Sequence, residues 1–448
     1  MRKNKLFIGL AAMLLLTQSG CEDNKGEFLD DFSTILYFKN SGEVPLTLYK
    51  TGENTDYTII VNKAGSDLTA TTDVSVTVMD QSSLAVYNAE YGTMYKEIPA
   101  NCYTFQDDKL QFASTETYKN LKVSLITTEI DKLEASESTY VIPFEMRDSA
   151  DSINAKKRVL FIKPKVVVPK VYFDKTGYQV NTVSDEGATQ ISLALPLVLP
   201  LENKWNFNCT VGINAALLEA YNQQNEVDYA LLPSNAYTMN QDGIVAFTPG
   251  NMASNLAINI TRSSLSYGNY VLPLQLNSCS HSTFVIDAAK NTCLFGVSYV
   301  PNESKLSTVT LTESMIGIFP NPTNEGSIAE MIDGKSDTYY HSNWSGTHPL
   351  PHYIDVKLSK ESTAFLFEYQ IRHNNNNGAP QQISIYGSMD GVNFKKITTL
   401  TENLPAGKGE KYKSSVLVGK SFKHLRFSVE KTPNGNSFAF AEFKLSIN

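Results

Sequence analysis

The chain repeats itself. "LAVYNAEYGTMYKEIPANCYT" (residues 84–104) aligns without gaps on "LEAYNQQNEVDYALLPSNAYT" (residues 218–238). The identities are Leu84/Leu218, Tyr87/Tyr221, Asn88/Asn222, Tyr95/Tyr229, Pro99/Pro233, Asn101/Asn235, Tyr103/Tyr237 and Thr104/Thr238. The flanks correspond as well: "YVIPFEM" mirrors "YVLPLQL", and each copy opens on a short apolar run, "TILYF" or "KVYFD". A duplicated unit must fold the same way twice, so two like domains are expected. In both, apolar residues recur with period two, as half-buried strands require, and the segment holding "LxxYN" is long enough for a short helix or an ordered crossover. The periodicity predicts two tandem β-sandwiches, residues 30–165 and 170–300, joined by the stiff stretch "KPKVVVPK".

The N-terminus bears on the compartment. "MRKNKLFIGLAAMLLLTQSGC" places Arg2, Lys3 and Lys5 before an apolar run from Leu6 to Leu16, then small residues up to Cys21. That pattern is a secretory signal peptide, residues 1–21, too short to span a bilayer. It resembles a bacterial lipoprotein signal in which Cys21 becomes the lipid-bearing mature N-terminus, although Gln18 stands where leucine is preferred. The alternative is a plain signal peptide with an incidental cysteine. The acidic "EDNKGEFLDD" that follows resembles the surface-export signal of Bacteroidetes-type lipoproteins. The resemblance implies a lipid anchor in the cell outer membrane, with the protein exposed at the surface.

At 448 residues and 42% hydrophobic content, the chain has material for about three packed domains. Net charge is −8, only 19% of residues are charged and no Lys/Arg stripe is present, so nucleic acid is not an expected partner. Tyr 23 and Phe 22 against Trp 2 suit β-rich packing. Beyond Cys21 there are Cys102, Cys209, Cys279 and Cys293, without CxxC or Cys/His spacing. Either Cys279 and Cys293 close a loop in an oxidising compartment, or all four are buried thiols.

On the "YN…Y…P.N.YT" segment and its flanks, residues 30 to 300 resemble the tandem N-terminal domain of unknown function in Bacteroidetes-type surface lipoproteins of polysaccharide-utilisation loci. The resemblance implies a spacer or a binding platform. Tyr87/Tyr221 and Tyr103/Tyr237 are expected as core or corner tyrosines rather than sugar platforms.

The last third of the chain is different. "MIDGKSDTYYHSNWSGTHPLPHYIDVKL", "IRHNNNNGAPQQISIYGSMDGVNF" and the closing "AEFKL" follow in order. "YIDVKL", "LRFSV" and "FKLSI" alternate, and the Asp-Gly of "MDG" fits a hairpin turn. Residues 305–448 resemble a discoidin domain (coagulation factor five/eight type C), the fold of a large carbohydrate-binding module family. The resemblance implies an eight-stranded jelly-roll sandwich. It also implies one structural cation, Ca2+, held by side-chain oxygens of Asp333, Thr338 and Glu442 and by carbonyls of Glu330, Lys335 and Ala441. Lys335 stands where the family often carries an acid or amide, and an Asp-Gly turn without metal is the alternative.

Beside that turn lies a mixture suited to sugars, in which an aromatic face stacks on a pyranose and neutral donors and acceptors meet its hydroxyls. His341, Asn343 and Trp344 supply it, with Arg372, His373 and Asn374 from the next loop. The resemblance adds Phe438, the aromatic just before the final strand. Each has a structural alternative: Trp344 packed under its loop, the asparagine run a solvated turn. His352 is expected to be a satisfied structural histidine.

No HExxH, G-x-S-x-G or P-loop pattern is present, and three small domains leave no room for a catalytic barrel, so no enzyme is expected. The chain thus reads as an all-β protein: two tandem Ig-like β-sandwiches followed by a jelly-roll discoidin-like domain. The function expected is non-catalytic capture of polysaccharide or oligosaccharide at the cell surface, for a neighbouring transporter or glycoside hydrolase. The alternative is a surface adhesin or scaffold whose discoidin domain binds a protein or host glycoprotein.

Overall fold

A computed structural model describes residues 34–106, 108–133, 139–346 and 348–448. The signal peptide and Cys21 lie outside the described residues. The chain divides into two compact units, residues 1–169 and 170–448. The protein is built of β-sheets, as the alternation predicts.

In the first unit one sheet runs, edge to edge, through Ser152–Ile153, Ile35–Phe38, Thr55–Ala64, Tyr118–Leu125 and Tyr103–Thr104. The facing sheet runs through Gly42–Tyr49, Val159–Val167, Thr139–Arg147, Thr72–Val78 and Asp108–Phe112. Phe38, Val61, Val76, Phe144 and Ile162 fill the space between them. Repeat 2 has the same strand order around Phe173, Leu197, Phe207, Leu274 and Phe295. In both repeats an early strand pairs in parallel with the last: Gly42 opposes Leu160, and Gly177 opposes Cys293. "KPKVVVPK" is therefore mostly strand, with the boundary between the two units following at Pro169. Pro164 to Val167 continue that ladder against Leu46 to Tyr49.

The shared motif forms a helix in each repeat, Gln81–Tyr91 and Ala215–Asn225, capped by Asp80 and Asn214. Leu84 and Leu218 anchor the helices on the sheet. Asn88 Nδ2 donates to Tyr95 O at 2.8 Å and its Oδ1 accepts from Tyr95 N at 3.0 Å; Asn222 makes the same two bonds to Tyr229, at 2.9 and 3.2 Å. The clamped Tyr95 stacks on Phe161 with Tyr87 tilted against the same ring, and the clamped Tyr229 stacks on Tyr178 together with Tyr221. These repeated tyrosines are packing groups.

Cys102, Cys209 and Cys293 are buried, Cys279 is half-buried and all four are free thiols. The Cys279–Cys293 loop is not formed. Cys293 faces Leu274 inside the sheet, whereas Cys279 lies opposite Cys209.

The C-terminal domain packs around Phe365, Phe367, Tyr369, Phe427 and Phe443. Ten strands are found among the described residues where eight were expected. The long strand His352–Ile371 is irregular between Lys357 and Ala364 and pairs with both Leu417–Lys431 and Ala439–Ile447, and short edge pieces such as Ser307–Thr308 add to the count. Gly391 takes the φ of +76° that the "MDG" turn demands.

This domain is continuous with repeat 2. Lys396 N donates to Glu226 O at 3.1 Å, Asn269 Nδ2 to Val418 O at 2.6 Å, and Val300, Ala364 and Val418 are buried together. Lys420 pairs with Asp228 at 2.8 Å. Among the described residues no helix is long and apolar enough to cross a membrane.

Candidate functional site

Three short segments meet at one rim of the C-terminal domain because Glu325–Gly326 pairs with Tyr340–His341, which pairs with the final strand Ala439–Ile447. Glu325 thereby comes to face residues far along the chain. Its Oε1 accepts from the Tyr339 hydroxyl and from Arg372 Nη1 at 3.4 Å, and its Oε2 accepts from Trp344 Nε1 at 3.1 Å. The Tyr339 hydrogen bond, with help from the nearby Arg372 charge and against the effect of burial, holds this carboxyl below the usual carboxylate range.

Trp344 is 50% exposed with its ring edge pinned by Glu325, so it does not pack under its loop. Arg372 is buried, its guanidinium 5.0 Å from the Tyr339 ring, and its Nε is buried without a hydrogen-bond partner. Asn343 donates to Pro322 O at 3.0 Å, while its Oδ1 is also buried without a partner. Two buried polar atoms without partners, one donor and one acceptor, thus belong to residues of this rim. Groups of this kind are costly unless something bonds to them.

His341 is buried. Its Nδ1 lies 2.7 Å from Ser342 O, which can only accept, so Nδ1 carries the proton and Nε2 is the acceptor. Burial lowers its pKa. His352 is fully buried, with Nε2 3.0 Å from His348 O and Nδ1 2.9 Å from Ser342 Oγ, and burial lowers its pKa also. His373 and Asn374 are exposed in the following loop, where His373 Nε2 lies 3.3 Å from Gln370 Nε2. The loop is tied down: Asn376 donates to Ala406 O and Asn375 Oδ1 accepts from Asn377 N, each at 2.7 Å.

Phe438 requires correction. It is 0% exposed, packed 4.9 Å from Phe440 and 5.8 Å from Tyr340, and offers no face to a ligand. Its backbone reaches the rim, where its N–H donates to Ser342 Oγ, but its ring turns into the core. Glu325, Tyr339 and Asn436, which donates to Trp344 O at 3.4 Å, were not anticipated. No local spacing marks Glu325; only strand pairing delivers it.

The acidic turn has a hydrogen-bond set of its own. Asp333 Oδ1 accepts from Lys335 N at 2.8 Å, and Thr338 Oγ1 lies 3.0 Å from both Asp333 oxygens and 3.1 Å from Lys335 O. Glu442 sits beside Asp333, and its Oε1 is buried without a partner. Burial first, then the Asp333 charge, raises its pKa. A cation would relieve both costs, so this oxygen set fits one. Lys335 Nζ, 3.8 Å from Asp333 Oδ2, is mostly in solvent and answers only part of the charge. Glu330 is engaged by Ser327 at 3.0 Å and Ala441 is fully buried. Among the described residues no cluster of three or more His, Cys, Asp or Glu side chains is found, so a cation here must also take hydroxyl or carbonyl oxygen.

The family model of an N-terminal domain matches twice, over residues 31–153 and 165–283, and that of the F5/8 type C domain matches residues 319–443. No curated protein matches. Among solved structures, CpGH89CBM32-5 from Clostridium perfringens, in complex with GalNAc-beta-1,3-galactose, is 22% identical over 31% of this chain and 99% of its own, with a TM-score of 0.26. The family 32 CBM from C. perfringens NanJ, in complex with galactose, is 15% identical over 32% of this chain and 98% of its own, TM-score 0.26. A two-domain protein of unknown function from Bacteroides fragilis is 12% identical over 63% of this chain and 95% of its own, TM-score 0.28. With more than half of its length matched by the N-terminal-domain model, the chain belongs to that family, carrying the domain in two copies ahead of an F5/8 type C domain.

Proposed function

We propose that this protein is a non-catalytic, lipid-anchored glycan-binding protein of the cell outer membrane, which captures polysaccharide or oligosaccharide at the rim of its F5/8 type C domain for a neighbouring transporter or glycoside hydrolase. The observation that carries the reading is the half-exposed Trp344 held by Glu325, which also holds Arg372, with Asn343 next to it in the chain. An indole face meets the apolar face of a pyranose, and the amide and carboxylate groups of the rim supply partners for its hydroxyls. His341, at the same rim, and His373 and Asn374, in the neighbouring loop, extend the polar set. One rim site buries little area, so affinity for a single sugar is weak, about 0.1–1 mM, and many tethered copies raise it by avidity. Asp333, Thr338 and Glu442, with carbonyl oxygens of the turn, hold a structural Ca2+ that steadies the rim's scaffold and takes no part in chemistry.

The test is binding of the full chain to a polysaccharide panel. Trp344→Ala is expected to weaken binding by about 1–3 kcal/mol with the melting temperature unchanged, as for an interfacial anchor. Arg372→Ala should weaken it as well. Wild-type affinity in both folded variants rules out the rim, and binding confined to a protein partner favours an adhesin. For the anchor, Cys21→Ala should release the protein from membranes.

A further inference from the structure

Repeat 2 brings together two thiols from distant strands. Phe207–Ile213 runs antiparallel to Gly268–Cys279 with Cys209 directly opposite Cys279. Ser280 N donates to Asn208 O at 2.8 Å, so the pair 208/280 is the hydrogen-bonded one. Cys209 and Cys279 therefore occupy the adjoining non-hydrogen-bonded position, where antiparallel Cα atoms lie about 4.5 Å apart and side chains come closest. A disulfide spans Cα separations of about 4.4–6.8 Å, so no backbone shift is needed to join them.

The environment divides the roles. Cys209 is fully buried, whereas Cys279 ends its strand and is reachable from solvent. The hydrogen bond from Cys209, together with the His281 N–H, lowers the Cys279 thiol to about 7 against the effect of burial. Cys209 is pushed up by the same pairing and by burial. Cys279 is thus the thiol that deprotonates first and Cys209 the one that keeps its proton. Neither remaining described cysteine competes, since Cys102 is in repeat 1 and Cys293 is in the core opposite Leu274.

We propose that Cys209 and Cys279 form a redox modification site, which a disulfide-bearing oxidant (a small-molecule disulfide or an oxidised dithiol protein) converts into a cross-strand disulfide. The Cys279 thiolate attacks one sulfur of the oxidant disulfide and expels the other as a thiolate, leaving a mixed disulfide on Cys279. Cys209 gives up its proton to solvent, attacks the Cys279 sulfur and expels the second oxidant thiolate. Two protein thiols lose two electrons and two protons, and the oxidant disulfide becomes two thiols. The product staples strands whose register is already set.

The experiment treats the folded full chain with oxidised glutathione, then unfolds it, alkylates free thiols and maps peptides without reduction. The expected result is a linked pair of peptides carrying Cys209 and Cys279, two hydrogens lighter than the separate peptides, with Cys102 and Cys293 alkylated. Cys209→Ser should trap glutathione on Cys279, and Cys279→Ser should abolish both adduct and link. Alkylation of Cys209 and Cys279 after oxidation, a stable glutathione adduct on wild-type Cys279, or a cross-link between two chains through Cys279 overturns the proposal.

Discussion

Glu325 sets the geometry of the rim by sharing one carboxylate among Tyr339, Trp344 and Arg372. Side chains that sequence reasoning grouped by proximity along the chain are grouped in space by this acid. Trp344 and Phe438 show where that reasoning works and where it stops. Trp344 stands in a loop of polar neighbours, and its ring is half exposed. Phe438 stands where Phe438, Ala439, Phe440, Ala441 and Phe443 are all buried. A strand covered on both faces has no alternation from which the direction of a side chain can be read. Phe438→Ala is expected to cost about 3–5 kcal/mol of stability, as for a buried aromatic, and so reports on packing rather than on binding. The two buried histidines add a pH dependence. Burial holds His341 and His352 below the ordinary value of 6.5. Between the folded and ordinary values the unfolded chain takes up protons that the folded chain refuses, so this contribution is fully present above about pH 6.5 and declines as pH falls. Melting temperatures from pH 7.5 to 5 should show the decline, and His352→Gln, which keeps a donor and an acceptor, should make it shallower. An equal slope in the variant would remove His352 from the account.

At the scale of elements, the duplication was legible because it is written in identical residues, but its reason was not. Tyr87 and Tyr221 drew attention as aromatics, yet Asn88 and Asn222 close the motif by bonding both backbone groups of a tyrosine seven residues on. Asn222→Ala strips two hydrogen bonds from a half-buried turn. It is expected to destabilise the second unit by about 2–3 kcal/mol, measured by calorimetry of the full chain. The acidic turn gives a different test. A cation bound only by the folded state stabilises it by RT ln(1 + [L]/Kd), about 2.7 kcal/mol at a hundredfold excess over Kd. Calcium should therefore raise the melting temperature and chelator lower it. Glu442→Gln removes a carboxylate that burial and the Asp333 charge both disfavour, and should blunt the calcium response while leaving the metal-free protein as stable or more so. A calcium response undiminished in this variant would place any cation elsewhere. Asp-Gly and a distant glutamate made this turn visible in sequence. The close approach of Glu442 to Asp333 depends on the register that sets Gln370 opposite Glu442.

At the scale of the whole molecule, the β-architecture followed from the alternation, whereas the division into units did not. Nothing in "SYVPNESK" announces that repeat 2 and the C-terminal domain share a buried boundary. Part of that boundary is made by backbone carbonyls of Glu226 and Val418, which have no sequence signature. Asn269→Ala, which removes the 2.6 Å bond to Val418 O, is expected to lower the melting of repeat 2 and of the C-terminal domain together. Two separated transitions in the wild-type calorimetric trace would contradict that coupling. The parallel pairing of early and final strands in each repeat carries a consequence for how the chain comes to be folded. Gly42 cannot find Leu160, nor Gly177 find Cys293, until almost the whole repeat has been synthesised. Loop-closure entropy must be met before any of that ladder repays it, which makes such pairings slow to form. A nascent repeat therefore stays open along one sheet edge until its final strand arrives, and a ribosome or export channel that holds back those last residues holds back the fold.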